Sequence, residues 1–127
     1  MNKKIISLLA TLLVVGCVNA TRFTKEPVEK DQRLANIYFT ASNSSLCGDR
    51  SFLENNTIVI LDNISSLRDD PKIMAPFTKE VQQLSVTATN FLSDQRRGVL
   101  TNTSCRTYLD SIASQAYNLA QMKDNLN

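Results

Sequence analysis

The sequence predicts an all-α fold: a four-helix domain closed by one disulfide, following a cleaved signal peptide and a short tether. Three observations predict it. Apolar residues recur three and four positions apart in four separate stretches, the spacing that lines one face of a helix. No second stretch offers a convincing strand for pairing, and a lone strand cannot satisfy its backbone. Of the three cysteines, one ends an apolar N-terminal run, which leaves Cys47 and Cys105 to pair with each other.

That N-terminal run sets the compartment. Met1-Asn2-Lys3-Lys4 is basic, and Ile5 to Val15 is apolar apart from Ser7 and Thr11. A membrane span takes about 20 apolar residues, so this shorter run fits a secretory signal. Its ending, Val14-Val15-Gly16-Cys17, resembles the bacterial lipobox. That resemblance implies lipidation of Cys17 as the mature N-terminus. Val18 is not the aspartate that retains such proteins in the inner membrane, so the expected place is the periplasmic face of the outer membrane, lipid-anchored. A rival cut after Val18-Asn19-Ala20 would discard Cys17 and release a soluble periplasmic protein. The expected divisions are residues 1–16 as signal peptide, 17–30 as lipidated N-terminus and flexible tether, and 31–127 as helical domain.

The elements follow in order. Thr21 to Pro27 has no apolar period, and Pro27 disfavours helix at Glu26, hence the tether. A first helix begins near Glu29 to Gln32 and carries Leu34, Ile37, Tyr38 and Ala41 on one face. It stops in Ser42-Asn43-Ser44-Ser45, with Gly48 suited to a positive-φ stop. Gly48 to Glu54 reads as a connector, with Asn55 or Asn56 capping the second helix. Thr57 to Leu61 is ambiguous: β-branched residues favour a strand, while Ile60, Leu61, Ile64 and Leu67 keep helical spacing. We take it as helix. Pro71 ends it and holds Asp70 out of the α region. Pro76 suits the first turn of a third helix with Phe77, Val81, Leu84, Ala88 and Phe91 or Leu92 inward, stopped by Gly98. Thr101 to Ser104 offers caps for a last helix, with Cys105, Leu109, Ile112, Ala116 and Leu119 inward and the pattern fading from Met122.

Composition narrows the function. There is no histidine, so the commonest general base and metal ligand are missing. The cysteines lack metal-ligand spacing, and no phosphate-binding glycine loop or nucleophile-elbow motif occurs. We expect no enzyme, no cofactor, no metal and no small-molecule substrate. Removing Met1–Gly16 takes two basic residues and no acidic ones, leaving twelve of each. A neutral domain has no basis for generic nucleic-acid binding, and any membrane attachment falls to the lipid. The sequons at Asn19, Asn43, Asn55, Asn63 and Asn102 are chance in an Asn-, Ser- and Thr-rich bacterial chain. In an oxidising periplasm, a Cys47–Cys105 bridge would tie the first helix to the last.

Taken together, a secretory or lipoprotein signal, a first helix ending in Cys47-Gly48-Asp49, a second aliphatic helix, a long third helix and a last one opening Cys105-Arg106-Thr107-Tyr108-Leu109 resemble the small helical pilotins of the type II secretion system. The resemblance covers Leu34 to about Leu119. Members often carry a tryptophan after the second helix, where this chain has Leu67-Arg68-Asp69-Asp70. The resemblance implies a groove that grips a C-terminal helical segment of the secretin subunit. It also implies a lipid on Cys17 that carries this subunit to the outer membrane, and a bridge between Cys47 and Cys105. Groove residues do not transfer. From the residues themselves we take Phe39, Ile58 and Val59, which are apolar yet lie outside the core stripes or widen them. The alternatives are an accessory lipoprotein of a conjugation or pilus machine and a soluble periplasmic binder or inhibitor.

Overall fold

The computed structural model describes residues 26–126. The expected signal peptide Met1–Gly16, the lipidation site Cys17 and the tether as far as Lys25 lie outside the described residues. The packed domain starts before residue 31. Glu26–Glu29 form one helical turn, α1, with Val28 wholly buried. Lys30 then reaches Asp124 at 2.7 Å. Pro27 is tolerated because a first turn needs no N–H there. The expected tether therefore does not extend to residue 30.

Helix α2 spans Gln32–Ala41. Asp31 is its N-cap, outside the first turn, and accepts the Arg33 amide at 3.0 Å. Leu34, Ile37 and Ala41 are wholly buried, as their spacing predicts. The chain then takes a short 3-10 turn, Leu46–Gly48. Gly48 is not a positive-φ stop; of the two described glycines only Gly98 has positive φ. Helix α3, Arg50–Arg68, begins well before Asn55. The Asp49 carboxylate accepts the Phe52 amide at 3.0 Å, and a charged cap directly after the turn leaves no connector to Glu54. The ambiguous stretch is helical, with Thr57, Ile60, Ile64 and Leu67 buried.

Helix α4 runs Pro71–Arg97. Asp70 is extended and accepts the Lys72 amide at 3.0 Å. Pro71 thus both ends α3 and opens α4, so the stretch expected to connect them is α4's first turn. Pro76 then falls inside the helix, with no N–H to donate, and Phe77 leaves helical geometry at φ −129°, ψ 28°. The result is a kink. Ile73, Phe77, Val81, Leu84, Ala88 and Phe91 are buried. Gly98 ends α4 at φ 71°. A Cβ there would meet nothing within 4 Å, so Gly98→Ala pays only for backbone strain. The expected loss is ~1 kcal/mol by urea unfolding. Gly48→Ala, equally free of contacts and without positive φ, should be neutral or slightly stabilising.

Helix α5, Asn102–Asn125, opens with a capping box between Thr101 and Ser104. It outlasts the apolar pattern, because Lys30 and Asp31 hold its last turn through Asp124 and Lys123. Tyr117, absent from the expected stripe, is buried as well. Packing runs from α2 to α3, α4, α5 and back to α2. Cross-helix pairs show every neighbour antiparallel: Arg33 with Ser66 and Asn36 with Asn63, Thr57 with Gln95, Thr87 with Gln115, and Arg106 with Ser44. The domain is an up-down-up-down four-helix bundle. One pole holds α1, the α3–α4 turn and the end of α5. The other holds the 3-10 turn, the end of α4 and the start of α5. There Cys47 and Cys105 are bridged, with Cα atoms 6.0 Å apart.

Candidate partner-binding site

The lipidation site Cys17 falls outside the described residues. Cys47 and Cys105 meet as expected. The three residues chosen for a groove, Phe39, Ile58 and Val59, are all exposed, at 40%, 37% and 42%, but they do not line one groove. The Phe39 ring meets Tyr38 edge-on at 5.2 Å, and Tyr38 lies against Tyr117 of α5. Ile58 lies one turn after Glu54, whose carboxylate reaches Arg96 of α4, so it leans toward α4. Val59 lies one turn before Asn63, which meets Asn36, so it leans toward α2. Two successive residues on a helix point about 100° apart, and the neighbouring helices separate them further.

The structure builds a cleft elsewhere, at the disulfide pole. The start of α3, the end of α4 and the start of α5 enclose about 480 Å³. The apolar lining is Leu53, Leu100 and the bridged cysteines, with Arg50, Arg96 and Glu54 around them. Phe52, 43% exposed, precedes Leu53 on the same helix turn. Gln95 also lines the cleft. Its Nε2 donates to Thr57 Oγ1 at 2.8 Å, and Thr57 donates to the Leu53 carbonyl at 2.8 Å. These two bonds fix which end of the carboxamide faces Thr57. Gln95 Oε1 is left buried with no donor, an arrangement that wants an explanation.

Sequence patterning missed this cleft. The signal was present only as an indirect one: a Cys47–Cys105 bridge places the start of α5 beside the chain entering α3, and Arg96-Arg97-Gly98 ends α4 at the same level.

The opposite pole is a charge cluster. Asp31, whose side chain is 6% exposed, pairs with Arg33 at 2.9 Å and Lys123 at 3.4 Å. Arg33 also reaches Asp70 at 3.0 Å. Burial pushes the Asp31 carboxyl up, but Arg33, through hydrogen bonds and charge, and Lys123 outweigh it and hold the group below its ordinary value. Near the cleft, Tyr108 donates to Asp94 at 2.6 Å. That bond first, then burial and the Asp94 charge, raise the phenol.

No group of three or more His, Cys, Asp or Glu able to hold a metal occurs among the described residues. None of the described helices is long and apolar enough to cross a membrane. Comparison with protein-family models, curated proteins and solved structures finds no match.

Proposed function

We propose that this protein is a pilotin-like lipoprotein that binds a C-terminal helical segment of a secretin and directs that subunit to the outer membrane. The observation that carries the reading is the Cys47–Cys105 bridge, joining the turn after the first long helix to the first turn of the last. The resemblance uses those two positions in a helical domain of this kind. The antiparallel bundle also suits recognition of an amphipathic helix, which buries its apolar side against helix faces. Cys17 supplies the anchor in this reading, and the outer membrane is the destination.

The test is a pull-down from detergent-solubilised envelopes of the native host, using a C-terminally tagged protein. The expected result is recovery of a secretin, lost when the secretin's C-terminal segment is deleted. Recovery of a different envelope complex would reassign the protein to another machine. If nothing is enriched from a host that expresses a secretin, the reading fails. Mass spectrometry of the recovered N-terminus separates a lipidated Cys17 from a chain beginning at Thr21.

A further inference from the structure

We propose that the cleft at the disulfide pole binds an acidic peptide segment bearing an apolar side chain. The proposal does not depend on a secretin being the protein that carries the segment.

Charge is the first argument. Arg96 is already paired with Glu54, at 3.2 Å, whereas Arg50 has no ion pair among the described residues. The lining therefore carries a surplus positive charge. The start of α5 adds to it. Its first turn holds no acidic residue, so the positive end of its dipole is not offset. The cap takes the Ser104 amide, while the amides of Asn102 and Thr103 have no partner within the helix. A carboxylate placed here meets a guanidinium and backbone donors together, the arrangement that makes charge-assisted hydrogen bonds.

The apolar lining separates such a segment from a bare inorganic anion. Leu53, 7% exposed, Leu100 and the disulfide give an apolar surface suited to a side chain such as leucine or phenylalanine. The volume lies in the usual range for a small binding pocket.

The test uses the whole chain, 15N-labelled and held in detergent micelles, titrated with two pools of capped synthetic octapeptides. One pool alternates Asp or Glu with Leu or Phe. The other has Lys at every acidic position. Inorganic phosphate serves as a separate probe. The expected result is saturable shifts at the Arg50, Leu53, Leu100 and Cys105 amides and at the Gln95 side-chain amide, with the acidic pool only. Arg50→Glu combined with Arg96→Glu should weaken that binding at least tenfold and let the basic pool bind. Both side chains are exposed, and an unchanged melting temperature would show that the fold is intact. Absence of saturable shifts at millimolar peptide, equal response to both pools, or shifts centred on another face would overturn the proposal. So would phosphate alone reproducing the pattern.

Discussion

Replacing both bridged cysteines, Cys47→Ala with Cys105→Ala, lowers the unfolding free energy by about 4 kcal/mol. The bridge closes a loop of 58 positions. In the loop-entropy description, such a closure restricts the unfolded chain by about that amount. The loss is a large share of the roughly 5–15 kcal/mol typical of a domain. For about 100 residues it corresponds to a fall in melting temperature of roughly 15–30 °C. The bridge acts on the unfolded state, so the urea dependence should also steepen: a chain without it exposes more surface on unfolding. Urea unfolding of the oxidised protein and of the double variant measures both quantities. A free-energy difference below about 1 kcal/mol would mean that the bundle ends are already held by packing, with the bridge redundant.

The core stripes were legible because helical spacing reports directly on burial. Leu34, Ile37 and Ala41, then Ile60, Ile64 and Leu67, all lie inside. The helix at Thr57–Leu61 was legible by elimination, since β-branched residues there had no partner strand. Boundaries were harder, because a cap competes with its neighbours over a few residues. Asp49 captures the start of α3 from Asn55, and Asp70 with Pro71 captures the start of α4 from Pro76. Val28 was hidden because one helical turn carries no period to detect. Tyr117 was hidden because its burial comes from α2, through Tyr38. The candidate site was less legible still. Phe39, Ile58 and Val59 were recognisable as residues outside the core, but only packing shows that Ile58 and Val59 lean toward different neighbours. The disulfide-pole cleft joins side chains from three helices, and Gln95 owes its orphaned oxygen to Thr57, 38 positions away.

The charge cluster at the other pole governs the acid limit of stability. Asp31→Ala should cost about 3 kcal/mol, because it leaves a part-buried Arg33 without its closest partner and removes the α2 cap. Asp31→Asn separates these effects. Asparagine still caps a helix well, so its expected cost of about 2 kcal/mol reports the lost charge. The pH dependence has a definite sign. The Asp31 carboxyl is held below its ordinary value in the folded protein by Arg33 and Lys123, against burial. Asp70 is lowered too, first by the Lys72 amide and then by Arg33. Both contributions are present above the ordinary aspartate range, about pH 4. They fade as pH falls through the lowered folded values. At the other extreme Tyr108 is raised, first by its bond to Asp94. Its contribution is complete below about pH 10 and is lost above it, as the phenol ionises. The chain has no histidine, and none of these three groups titrates between these limits. Stability should be flat from about pH 5 to 9. Urea midpoints across pH 2–9 test the acid limb. Asp31→Asn should flatten it while leaving the plateau lower and level. An unchanged acid limb in that variant would show that the pole is held by packing, with its charges incidental.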